Sequence, residues 1–112
     1  MDSKKSPIAV TTIPDGFRVA VFGPIHLNLE TIQPEFDRLV AAKPKRVELD
    51  LSQSEHVSSI GFSALINLRN RLKADGGTLA IVKILPRTRQ IFTAAYLEKL
   101  FAFAPNAVID GE

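Results

Sequence analysis

Two adjacent serines, Ser58 and Ser59, followed by Ile60-Gly61-Phe62, are the residues of this chain whose type and spacing fit a chemical site. The polar stretch Ser52–Ser59 delivers both hydroxyls to the start of an apolar-periodic segment, the expected beginning of a helix. One hydroxyl can cap that helix by accepting an orphan backbone N–H, worth about 1 kcal/mol. The other is then exposed and open to phosphorylation. A phosphate there would meet free N–H groups and the positive end of the helix dipole, which the fold could tolerate. On local features alone, capping is the simpler account of the pair.

Other constellations carry less. The two histidines, His26 and His56, have no short-spaced histidine or carboxylate partners that would begin a zinc site, so no metal is expected. A hydrolase triad could be drawn from Ser59, His56 and Asp50. It lacks the G-x-S-x-G elbow, and a base three residues before its nucleophile is poorly placed. Gly76-Gly77 lacks the spacing of a phosphate loop and ends a helical segment instead of opening one. There is no cysteine, which removes disulfides, thiolate ligands and cysteine nucleophiles together. The reading is a non-enzyme without catalytic residues or cofactor that works by binding.

The net charge is only +2. Its basic residues are spread, with small clusters at Lys43, Lys45 and Arg46 and at Arg69, Arg71 and Lys73. A nucleic-acid binder would concentrate them in a stripe with interleaved aromatics, so these clusters read as solvated helix ends. No apolar run approaches the roughly 18 residues that span a bilayer, and no apolar segment follows Lys4-Lys5 as in a signal peptide. The expectation is a cytoplasmic protein with no nucleic-acid partner and no direct membrane insertion.

The elements that must position the serines follow from periodicity. At 112 residues the chain fits one α/β domain, expected over 7–112 after a flexible polar segment 1–6. Ile8–Ile13 and Phe17–Phe22 are strand-like runs around the turn residues Pro14-Asp15-Gly16, which predicts an antiparallel hairpin. Ile32, Phe36, Leu39 and Val40 share one helical face. Pro34 fits only within a first turn, so this helix is expected to start near Thr31, leaving Gly23–Glu30 as a loop.

Val47, Leu49 and Leu51 alternate with charges as a third strand, and Phe62, Leu65, Ile66, Leu68 and Leu72 define the second helix, capped by Gly76-Gly77. Thr78–Leu85 reads as a buried strand, and Pro86 opens a third helix with Ile91 and Ala95 inward. Leu100–Ile109 should supply a last short strand. The order β-β-α-β-α-β-α-β implies a mostly parallel sheet with an N-terminal hairpin. Val19, Val21, Ile32, Phe36, Leu39, Val47, Leu49, Leu65, Leu72, Ile81 and Ile91 form the expected core.

From Arg46 to Phe101 the sequence resembles the STAS domain of bacterial anti-sigma factor antagonists. Val47-Glu48-Leu49-Asp50-Leu51-Ser52 resembles the signature strand of that family. Ser58-Ser59-Ile60-Gly61-Phe62 stands where the family has Asp-Ser-Ser-Gly-Leu. Gly76–Val82, Pro86–Phe92 and Leu97–Phe101 are similar to its fourth strand, third helix and following apolar segment.

The resemblance implies a STAS-like fold and phosphorylation-controlled partner switching in transcription regulation. An anti-sigma factor serine kinase would bind the unphosphorylated protein, modify Ser59 and so end the binding, with a phosphatase as resetting partner. The partner face would then comprise Ser58, Ile60, Gly61 and Phe62 together with Pro24 and His26 of the preceding loop. Phe62 is expected either as a core anchor or as an exposed apolar contact.

Three positions depart from the pattern. Ser58 and His26 replace acidic residues expected to help organise metal and nucleotide during phosphotransfer, and Tyr96 replaces a glycine. The alternative is a non-phosphorylated STAS-like adaptor subunit of an ABC-type lipid transporter or other signalling complex.

Overall fold

Asp15 ties together the first three strands. Its carbonyl ends the hairpin turn and accepts the amides of both Lys45 and Arg46, at 3.0 and 3.1 Å. A computed structural model describes residues 7–23, 29–54, 57–96 and 99–108; the segment 1–6 lies outside them. Strand β1 (Ile8–Ile13) pairs antiparallel with β2 (Gly16–Phe22), from Ile8 opposite Val21 to Ile13 opposite Gly16. Glycine is required at 16, because a Cβ there would collide with the Arg46 carbonyl as the third strand begins alongside.

Helix α1 (Leu29–Ala41) starts two residues before the expected Thr31. Leu29 packs against the core and prolongs the stripe of Ile32, Phe36 and Leu39, and this burial moves the start upstream. Pro34 consequently lies in the second turn. The main-chain bond it forgoes would run to Glu30, and both residues are solvent-exposed.

The remaining elements are β3 (Arg46–Gln53), α2 (Ser59–Ala74), β4 (Thr78–Ile84), α3 (Pro86–Ala94) and β5 (Ala102–Phe103), reproducing the predicted order. The sheet runs β1-β2-β3-β4-β5, and every pairing after the hairpin is parallel. Each crossover therefore steps to the adjacent strand in the same direction. Right-handed connections of that kind place all three helices on one face.

The register shows that face directly. Val10, Val19, Leu49, Ile81 and Phe103 form one row across all five strands. Val19, Leu49 and Ile81 are fully buried beneath Ile32, Phe36, Leu65, Leu68 and Phe92 of the helices. The neighbouring row, Thr11, Arg18, Glu48, Ala80 and Ala102, turns to the other face. There Glu48 accepts from Arg18 at 2.8 Å and from Arg46 at 2.9 Å. Arg46 first, then Arg18, holds the Glu48 carboxyl below the usual glutamate range.

Two expectations about α3 are corrected. Thr88 and Phe92 point inward, whereas Ile91 is half-buried and Ala95 exposed. The helix is rotated because Phe92 meets three aromatic rings edge-on, those of Phe62, Phe101 and Phe103 at 4.9, 5.5 and 5.9 Å. Thr88 is accommodated because its hydroxyl donates to the Ser54 carbonyl at 3.1 Å. Apart from Ile91, the residues predicted as core are all buried.

The helix ends explain two of the unusual residues. Gly76, at φ +85°, turns the chain after α2. Tyr96 does the same after α3 at φ +60°, its amide donating to Thr93 O at 3.0 Å, with a side chain 89% exposed.

Candidate functional site

The loop between β3 and α2 is anchored from both sides before it reaches the serines. Asp50 Oδ1 accepts both the amide and the hydroxyl of Ser52, at 2.9 and 2.6 Å. Ser54 is fully buried; its hydroxyl donates to Val21 O at 3.0 Å while its carbonyl receives Thr88. One residue thus clamps β2, the loop and α3 together. Val57, 5% exposed, supplies the apolar stop immediately before Ser58.

The two serines take different roles. Ser58 is the N-cap of α2, with extended backbone at φ −86° and ψ 177°, and its Oγ accepts the Gly61 amide at 3.4 Å. Its carbonyl accepts from Phe62 N at 2.9 Å. Ser59 is the first helical residue and exposed, and its hydroxyl has no hydrogen-bond partner among the described residues.

Ile60 beside it is 56% exposed, a large apolar side chain presented to solvent. Gly61 is buried. Phe62 turns inward as a half-buried residue whose ring stacks edge-on against Phe92. The exposed pair at this corner is therefore Ser59 and Ile60, with Ser58, Gly61 and Phe62 as their support. Pro24, His26 and His56 lie outside the described residues. Asp50 is engaged by Ser52, in the loop clamp.

The first turn of α2 holds no acidic residue that would offset the positive helix end next to Ser59 from within the helix. Among the described residues there is no group of three potential metal ligands, and no helix is long and apolar enough to cross a membrane. Ser54 and Thr88, which position this site, were not singled out from sequence. A serine in a polar loop reads as solvated, although Thr88 at i−4 from Phe92 was discoverable by helical spacing.

The family model of the STAS domain matches residues 8–108. The chain belongs to the STAS domain family. The crystal structure of an anti-sigma factor antagonist from Mycobacterium paratuberculosis superposes with a TM-score of 0.76 at 25% identity, covering 88% of this chain and 85% of that one. The phosphorylated form of the Bacillus cell fate determinant SpoIIAA shares the fold, with a TM-score of 0.62 at 15% identity over 88% of this chain and 92% of that one.

In sequence, the STAS domain is 26% identical over 77 residues to BtrV of Bordetella bronchiseptica, a protein provisionally named an anti-sigma factor antagonist. That match spans 69% of this chain and 66% of BtrV. The five-stranded sheet with its N-terminal hairpin and three helices is the architecture of anti-sigma factor antagonists of this type.

Proposed function

We propose that this STAS domain is an anti-sigma factor antagonist that docks an anti-sigma factor serine kinase through the start of α2, and that phosphorylation of Ser59 ends the interaction. The division of labour between the serines carries the reading. Ser58 Oγ is committed to the Gly61 amide, so the exposed Ser59 hydroxyl can be modified without uncapping the helix. Ile60 supplies an exposed apolar contact beside it. Pro24 and His26 complete the proposed face from the loop after β2.

A phosphate on Ser59 would add roughly −1.5 to −2 charge. In the free protein the positive end of α2 favours that charge. In the docked state it must be desolvated against the partner, so the bound form alone is destabilised. The Bordetella and Mycobacterium relatives named as antagonists, and a Bacillus relative that exists in a phosphorylated form, support this assignment. A phosphatase would reset the cycle in the cytoplasm.

The absence of a carboxylate in the first turn of α2 favours a second reading, a constitutive adaptor subunit that needs no phosphate cycle, as on an ABC-type lipid transporter. Incubation with the cognate kinase and ATP, followed by mass spectrometry, separates the two. The switch requires one phosphate, on Ser59. Labelling of neither serine while the complex still forms would leave the adaptor.

A further inference from the structure

At the far end of α2 from Ser59, about 21 Å along the helix axis, the C-terminal half of the helix and the starts of β4 and β5 enclose a half-open cavity of about 310 Å³. Among the described residues its lining includes three cations, Arg69, Lys73 and Lys99, and no carboxylate. Its apolar side is built from Leu79 and Phe101, both almost fully buried, and the more exposed Leu100.

Among the described residues none of the three cations meets an acid. Arg69 donates to the side-chain oxygen of its neighbour Asn70 at 2.9 Å, which leaves its charge unneutralised. Neither Lys73 nor Lys99 has an ion-pair or hydrogen-bond partner among the described residues. Arg71, on the same helix, does find an acid, Asp37 of α1 at 2.7 Å. Lys73 is partly explained as a cation in the last turn of a helix. That explanation does not extend to Arg69, which lies before the last turn, or to Lys99, which lies outside the helix and precedes β5. Three like charges around one apolar recess in a chain of net charge +2 form a concentrated positive potential without an acidic partner among the described residues.

We propose that this cavity binds a small organic phosphate, its dianionic head held among Arg69, Lys73 and Lys99 and a compact apolar body seated on Leu79, Leu100 and Phe101. The volume lies at the lower end of the roughly 300–1,000 Å³ typical of ligand pockets. It therefore suits a body no larger than one or two rings. The site is separate from the partner face at Ser59 and does not depend on its assignment.

The test is a titration of the isotope-labelled full chain with phenyl phosphate, followed through its amide resonances. Saturable shifts at Gly77, Thr78 and Ala102 are expected, with a Kd near or below about 1 mM in low salt. Inorganic phosphate, which lacks the apolar body, should bind several-fold more weakly. The Lys73→Gln/Lys99→Gln variant should lose roughly fivefold in affinity, since each exposed charge pair contributes modestly.

Because that variant could fold poorly, a second measurement uses the unaltered chain. Raising NaCl from about 20 to about 200 mM should weaken phenyl phosphate binding by screening the charges. Absence of saturable shifts, shifts centred elsewhere, unchanged affinity in the folded double variant, or insensitivity to salt would each overturn the proposal. Inorganic phosphate binding as tightly as phenyl phosphate would overturn the role of the apolar wall.

Discussion

The rotation of α3 can be tested by two neighbouring alanine substitutions. Phe92 is fully buried and its ring contacts those of Phe62, Phe101 and Phe103 edge-on. Phe92→Ala removes a whole aromatic side chain from a closed site, a change that costs about 3–5 kcal/mol in well-packed cores. Edge-on aromatic pairs contribute about 0.5–1.5 kcal/mol beyond burial, which places this site toward the upper end. Ile91 is only half-buried, so Ile91→Ala should cost about 1–2 kcal/mol, well below a fully buried isoleucine.

With a urea m-value near 2 kcal/mol/M for a domain of this size, the midpoint should fall by about 1.5–2.5 M for Phe92→Ala and by under about 1 M for Ile91→Ala. Far-UV circular dichroism in urea reads both. If Ile91→Ala proves as costly as Phe92→Ala, the helix is turned by about 100°, one residue step, from the orientation described here.

Other consequences follow from the caps and charges. Ser58→Ala should lower stability by about 1 kcal/mol in the same denaturation assay, because the Gly61 amide loses its acceptor. Tyr96→Gly should raise stability by roughly 0.5–1 kcal/mol. It relieves a left-handed backbone worth about 1–2 kcal/mol, partly offset by greater chain entropy in the unfolded state, and the 89% exposed ring gives up little packing.

The Glu48 carboxyl, lowered first by Arg46 and then by Arg18, adds stability that is fully present above its ordinary value of 4.5. That contribution is lost as pH falls below 4.5 and through the lowered folded-state pKa, so acid unfolding of Glu48→Gln should show a shallower pH dependence in this range.

Much of the fold was legible because burial and period agree. The alternation of Val47, Leu49 and Leu51 fixes which face of β3 meets the helices. The turn at Pro14-Asp15-Gly16 specifies the hairpin, and the glycine is also needed for the close approach of Arg46. The α1 boundary was hidden because Pro34 argues for a later start, and nothing local reveals that Leu29 gains a core contact.

In α3, two stripes of identical spacing compete, Thr88–Phe92 and Ile91–Ala95. The polar hydroxyl of Thr88 disguises the true one until its acceptor, the Ser54 carbonyl, is known. At the candidate site, the capping role of one serine was readable from the residue types. Its assignment to Ser58 required the backbone, as did the inward turn of Phe62.

The central claim is that charge at Ser59 controls docking while the fold stays intact. Isothermal titration of the cognate anti-sigma factor kinase against the unaltered chain, Ser59→Ala and Ser59→Asp tests it most directly. An acidic group in the first turn of α2 stabilises the helix by about 0.3–1 kcal/mol, so the melting temperature of Ser59→Asp should be unchanged or higher. Ser59→Ala should bind within about threefold of the unaltered chain, and Ser59→Asp at least about tenfold more weakly, a loss of some 1.4 kcal/mol or more. Equal affinity of a folded Ser59→Asp and Ser59→Ala for the kinase would contradict the account.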